Sequence, residues 1–289
     1  MTSDPTKDFE ILLNRHGYGF TYAVIQHIGS NPLGWKFEVA EFPVEVQGRG
    51  TRIDFILSHR MSDAWIVAEC KRANPATAIW CFAKAPRSSL RSQDEQKFGV
   101  FEGIVRSDPS HPFRRVVHTR LTERLYHVAK EVPTGKKGES GGKNTDEIER
   151  AVTQVLRGMN GFAEWIARNP KVLVDVEGRQ VARFFPVIFT TANLYATGVD
   201  LSSTELETGN VSLSQDALEP KGWLHYQYYQ SPGLLNALVL AGEDPADLSE
   251  ALKAEYTRSI AIVSASGIDD FLGKTSQILG SSKPFGWEE

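Results

Sequence analysis

Thr51-Arg52-Ile53-Asp54-Phe55-Ile56-Leu57, then Ala64-Trp65-Ile66-Val67-Ala68-Glu69-Cys70-Lys71 after a polar break at 58–63 (SHRMSD), are the stretches that decide the fold. Both are rich in β-branched and aromatic residues, and the break between them supplies turn chemistry, so together they read as a β-hairpin. Strand alternation puts Glu69 and Lys71 on one face and Ala68 and Cys70 on the other. With Asp54 turned the same way, two carboxylates and an ammonium converge at the end of the hairpin. Such a set can hold a divalent cation and activate a water beside it. The competing reading is a surface hairpin whose polar residues face water, with Lys71 merely pairing Glu69. Against it, each acid borders or interrupts an apolar run, and an acid at the end of a buried strand needs a partner or a metal.

Working outward, Asp4-Pro5-Thr6 reads as a helix cap with proline in the first turn. Phe9, Leu12 and Leu13 follow at helical spacing as far as Gly17 and Gly19. Glu10 sits at the edge of that apolar stripe. A second short helix is expected over residues 21–28, ended by Gly29-Ser30-Asn31-Pro32. Residues 37–46 read as extended, and Pro43 argues for an edge or irregular strand.

Downstream, residues 79–82, 98–105 and 115–128 have strand or helix character that pattern alone does not separate. Residues 133–145 (PTGKKGESGGKNT) read as a loop. A clear helix is expected over 146–167, with Ile148, Val152, Val155, Leu156, Met159, Phe162 and Ile166 at helical spacing. Residues 172–176 and 181–190 read as a strand pair turned at Glu177-Gly178, the second continuous enough in apolar residues to be a buried central strand. Residues 223–229 and 259–264 are further strands. Residues 266–279 form a terminal helix, with Ser266 and Asp269 at capping-box spacing.

Composition bounds the function. The chain has 289 residues, 41% hydrophobic and 24% charged, which is ordinary for a globular domain. No signal-peptide pattern opens it and no apolar run approaches the ~20 residues that span a bilayer, so no membrane role and a cytoplasmic location are expected. Two cysteines argue against a disulfide framework. The net charge of −4 hides an asymmetry. Residues 72–146 carry 14 Lys and Arg against 8 Asp and Glu, while residues 200–289 carry 5 against 14. A basic middle segment beside a metal site suits a polyanionic substrate; solvation of an insertion's surface explains the same charge.

The order helix, strand, strand with Asp54, strand with Glu69-Cys70-Lys71, insertion, helix, strand resembles the PD-(D/E)xK nuclease superfamily. The fold it implies is α/β: a restriction-endonuclease-like αβββαβ core with a mixed central sheet. That core covers residues 8–72 and 146–195 of a single domain, with a basic insertion at 73–145 and an acidic C-terminal extension at 196–289. The resemblance makes Asp54 and Glu69 carboxylate ligands of Mg²⁺, for which Mn²⁺ substitutes, with the Cys70 carbonyl as a further oxygen ligand. Lys71 would position the attacking water and neutralise charge developing on the phosphate. Glu10 matches the first-helix acid that many members use as an additional ligand. Gln154 resembles a glutamine that several members place near the site, and Arg52 and Arg72 flank the site within reach of phosphates. Ile53 stands where the motif's name has proline.

The implied activity is a Mg²⁺-dependent nuclease hydrolysing phosphodiesters, a DNA endonuclease ahead of an RNA one, with a restriction or anti-phage defence role. The alternative is a catalytically inactive nucleic-acid-binding or scaffold protein on the same fold, or a mixed α/β interaction protein in which the triplet is coincidental. The acidic C-terminal third has two open roles. It could mediate a homodimer able to cut both strands, or occlude the basic segment.

Overall fold

The computed structural model describes residues 4–15, 17–84, 99–106, 110, 112–119, 125–133, 146–173, 175–176, 179–201, 204–214, 216–231 and 257–281. The expected loop at 133–145 lies outside these residues apart from Pro133, as does the Glu177-Gly178 turn. The protein is α/β, with a mixed sheet of many strands and helices on both faces.

The chain opens with α1 (Pro5–Arg15) and α2 (Tyr18–Ser30). Asp4 Oδ1 accepts the Thr6 N–H at 3.0 Å, the cap that the sequence announces. Three antiparallel strands follow: β1 (Trp35–Val46), β2 (Arg49–His59) and β3 (Ala64–Lys71). The expected hairpin is therefore present, and it extends beyond the apolar run on the Asp54 strand.

The middle segment is mostly strand among the described residues. It supplies β4 (Ile79–Lys84), β5 (Gly99–Arg106), β6 (Arg114–Thr119), β7 (Leu125–Tyr126) and β8 (Val128–Val132). The 22-residue α3 (Glu147–Arg168) comes next, its N-cap Asp146 accepting the Glu149 N–H at 3.3 Å. The strand expected over 172–176 shrinks to β9 (Asp175–Val176), because Pro170–Val172 closes into a 3₁₀ turn instead. Then come β10 (Arg179–Thr190), β11 (Asn193–Asp200), β12 (Leu218–Lys221), β13 (Trp223–Tyr229), β14 (Thr257–Ser264) and α4 (Ile268–Ser281).

The main sheet runs β1-β2-β3-β10-β14-β13-β7. β3 and β10 are parallel, in register from Ala64↔Arg183 to Lys71↔Thr190, and α3 lies in the crossover between them. β10 is buried on both faces, as its apolar run requires: Phe184, Val187, Ile188 and Phe189 are inaccessible to solvent. A smaller sheet, β12-β11-β4-β8, is separate from it in hydrogen bonding. The insertion and the C-terminal third are thus not appendages. β5 pairs with the first half of β10, and β14 with its second half.

Two apolar clusters flank the main sheet. On one face α2 and α4 pack through Val24, Ile28, Phe271 and Leu272 onto Phe55, Ile66, Ala68, Val187 and Val263. On the other, α3 packs through Val152, Val155, Met159 and Phe162 onto Ile56, Val67, Phe184 and Ile188, joined by Trp80, Phe82 and Leu194 of the small sheet. Full burial of side chains of this size contributes about 1.5–3 kcal/mol each.

One expectation fails here. The Ser266/Asp269 capping box does not form: Ser266 lies in a 3₁₀ turn with its hydroxyl 3.0 Å from Ser264 Oγ, and Asp269 Oδ1 is 2.8 Å from His27 Nε2 of α2. The expected first helix forms as α1, and its apolar residues Phe9, Leu12 and Leu13 are all exposed. Among the described residues no helix is long and apolar enough to cross a membrane.

Candidate functional site

The site is made by a split in the sheet. β2 and β3 pair from Ser58↔Trp65 to Phe55↔Ala68, yet β3 continues beside β10 as far as Lys71. Beyond Phe55 the two strands part. Asp54, the next residue, bridges the opening with its side chain: Oδ2 accepts the Cys70 N–H at 2.6 Å. Because N–H and C=O of one strand residue point to the same edge, the Cys70 carbonyl also faces the opening.

The split lies beside an irregularity in β1. Ala40↔Phe55 and Phe42↔Ile53 pairing sets Glu41 opposite Asp54, and Glu41 holds a left-handed backbone at φ 53°. Such a conformation costs a residue with a Cβ roughly 1–2 kcal/mol. It reverses the facing of the ribbon. Phe55 packs on the α2/α4 side, whereas Ile53, two residues away, packs on the α3 side. In an unbroken strand both would face one way. The outer arm of the hairpin (residues 42–53) therefore leaves the sheet and wraps over α3. Phe42 meets Phe162 and Trp165 edge-on at 5.7 and 5.2 Å. Gly161 admits the arm, since a Cβ there would lie 2.7 Å from Val44 Cβ.

Glu69 is the next strand residue toward the split on the α3 face. It is 4% exposed, and its Oε1 lies 2.5 Å from Lys71 Nζ. Lys71 is 26% exposed. Burial and then the nearby negative charge of Asp54 push the Glu69 carboxyl up to about 7, against the opposing pull of Lys71. Burial also raises Asp54, against the Cys70 hydrogen bond and Lys71. Glu41 adds negative charge that raises both.

The expected trio is thus brought together, and a buried pair of mutually repelling carboxylates is where a cation stabilises most. The donors are hard oxygens, two carboxylates and a strand carbonyl, which Mg²⁺ takes alongside waters. The Cys70 thiol is no part of this set: it is buried on the opposite face, hydrogen-bonded to Thr21, and burial raises it well above the usual thiol range. Among the described residues no group of three or more His, Cys, Asp or Glu side chains is close enough to hold a metal.

The other expected residues sit variously. Glu10 is exposed on α1, and the outside charges that act on the carboxylate pair are Lys71 and Glu41. Gln154 is half-buried on α3. α3 runs antiparallel to β3, with Phe162 beside Trp65 and Gly158 placed so that a Cβ there would lie 3.7 Å from Val67 Cγ1, which brings Gln154 to the level of Glu69. Arg52 is exposed, 3.6 Å from Glu41 Oε2. Arg72 is occupied elsewhere, its Nη1 donating to the Asn14 carbonyl at 2.7 Å and tying α1 to the end of β3.

Glu41 is the residue the expectations miss. Its signal is a phase change in β1: apolar residues alternate on odd positions at Trp35, Phe37 and Val39, then on even positions at Phe42, Val44 and Val46. The alternation slips by one across Ala40-Glu41, the second irregularity of β1 after the register shift between Phe37 and Val39. No family model, curated protein or solved structure matches this chain.

Proposed function

We propose that the chain is a Mg²⁺-dependent nuclease that hydrolyses phosphodiester bonds, acting on DNA. The observation that carries this reading is the carboxylate pair at the split: Asp54 fixed by the Cys70 N–H, and Glu69 fixed by Lys71 on the adjoining strand. The order of elements around it supports the same reading. Helices, three antiparallel strands and then, after the inserted strands β4–β8, a crossover helix and a parallel strand come in the order of the PD-(D/E)xK superfamily.

Asp54, Glu69 and the Cys70 carbonyl would hold the cation. Bound Mg²⁺ supplies a Lewis acid and a lowered pKa for water. The chain's own groups do the rest. Lys71, partly open to solvent beside buried Glu69, presents its ammonium to a non-bridging phosphate oxygen and steadies the charge that grows there. Water oxygen forms the new bond to phosphorus while the bond to the leaving sugar oxygen breaks; the attacking water gives up one proton to solvent and the leaving oxygen takes one from solvent, giving a phosphomonoester and an alcohol. Positioning and charge neutralisation carry such a reaction, so few residues suffice. A restriction or defence role is what the family resemblance implies.

Incubation with DNA, with and without Mg²⁺, tests the reading. Cleavage that needs the cation and is lost in Asp54→Ala and Lys71→Ala upholds it; cleavage surviving both substitutions overturns it.

A further inference from the structure

Further along the arm from the split, the departure of the hairpin from the sheet leaves a groove of about 540 Å³ between the arm and the last turns of α3. Arg52 and Glu45 line it from the arm, Trp165 and Arg168 from α3, and Gly50 and Gly161 keep its walls low. Arg52 belongs to both places, since its other neighbour is Glu41, the residue opposite Asp54. Two residues of strand, about 7 Å, separate Arg52 from Asp54. Trp165 and Arg168 lie eleven and fourteen residues along α3 from Gln154, about 16 and 21 Å from the level of Glu69, so a chain with a phosphate at Asp54 and Glu69 runs along the arm and reaches the groove a few nucleotides from the cut.

The lining has the chemistry of a single nucleotide. Trp165 is part-exposed and stacks on Phe162 at 6.0 Å with an interplanar angle of 8°, which continues an aromatic stack toward the groove. An aromatic platform flanked by arginines is how unpaired bases are held without regard to sequence. Arg168 is exposed at the end of α3, its Nε donating to the Glu164 carbonyl at 3.3 Å, which steadies the guanidinium beside the groove. Glu45 disfavours a second phosphate and offers an acceptor to a base amino or sugar hydroxyl. The volume suits one ligand of nucleotide size and is far too small for a duplex.

We infer that this groove is a subsite for an unpaired nucleotide a few positions along the strand from the scissile phosphate, with the base on Trp165 and its phosphate between Arg52 and Arg168. The inference rests on the nuclease reading for its orientation and adds a substrate class: strands that are single or frayed to one side of the cut, ahead of intact duplex.

Fluorescence anisotropy tests it, using a labelled DNA single strand of about twelve nucleotides and the matching duplex, both in chelator so that no cleavage occurs. Arg168→Gln and Trp165→Leu are compared with the unaltered protein. Each substitution is expected to weaken single-strand binding by about fivefold or more and to leave duplex binding within about twofold. Arg168 is exposed, so its variant keeps the test valid should Trp165→Leu fold poorly. Single-strand binding unchanged by Arg168→Gln, or lost equally with duplex binding, overturns the subsite even if Mg²⁺-dependent cleavage is intact. Groove-dependent binding with no cleavage under any condition upholds the subsite and instead overturns the nuclease reading.

Discussion

The Cys70 N–H donates to Asp54 Oδ2 at 2.6 Å, so a side chain takes the place of a ladder bond where β2 and β3 part. That one contact fixes the Asp54 carboxylate over the opening, next to Glu69. It also separates the structural duty of Asp54 from its charge.

Asp54→Asn keeps an acceptor for the Cys70 N–H and removes a half-buried charge that burial disfavours. Asp54→Ala leaves the N–H without its acceptor, at a cost of about 1–3 kcal/mol. Chemical denaturation at pH 8 is expected to rank Asp54→Asn at least equal to the unaltered protein and Asp54→Ala below both. Neither variant is expected to cleave DNA.

Glu69 gives the fold a pH dependence of definite sign. Its carboxyl is raised from an ordinary 4.5 to about 7, so the folded chain holds a proton that the unfolded chain releases across that window. Stability is therefore full below it and falls as pH rises through it, by the linkage of proton binding to folding. Thermal unfolding in chelator should show Tm declining from about pH 5 toward about pH 8, the range set by the two values. In Glu69→Gln the decline should flatten, and in the unaltered protein Mg²⁺ at the upper end of that range should restore Tm.

Glu41 at φ 53° sets a conformational test. A β-branched side chain tolerates the left-handed region poorly, and glycine enters it freely. Glu41→Val is expected to be less stable than Glu41→Gly by about 1–2 kcal/mol in urea denaturation. Both remove negative charge that raises Asp54 and Glu69, so both should move the midpoint of the pH decline downward.

Gly161 is where the hairpin arm lies against α3. Gly161→Ala puts a Cβ 2.7 Å from Val44 Cβ, which side-chain rotation cannot relieve. Overpacking of this kind costs about 1–3 kcal/mol. The loss should appear in equilibrium denaturation despite the gain in helix propensity.

Local pattern was sufficient for much of the fold. The hairpin, α3 and the buried β10 follow from alternation, helical spacing and an unbroken apolar run, because each element's own burial writes its sequence. Asp54, Glu69 and Lys71 were legible for the same reason, as charges intruding on strands that should be buried. The split itself was not. It coincides with a left-handed backbone at Glu41, which no residue type at that position demands, although the slipped alternation of β1 records it. The role of the middle segment was also hidden, since whether β5 joins β10 is decided by partners far away in the chain. For α1 the helical spacing marked the helix, and its apolar residues Phe9 and Leu12 lie exposed.

The central claim is that Asp54 and Glu69, brought together at the split, form a site for a divalent cation. Titration of Mn²⁺ followed by electron paramagnetic resonance at pH 8 addresses it directly, with no substrate involved. The unaltered protein is expected to bind the ion, and Asp54→Asn and Glu69→Gln each to weaken that binding by about tenfold or more. Mn²⁺ binding of equal strength in all three proteins would contradict the account.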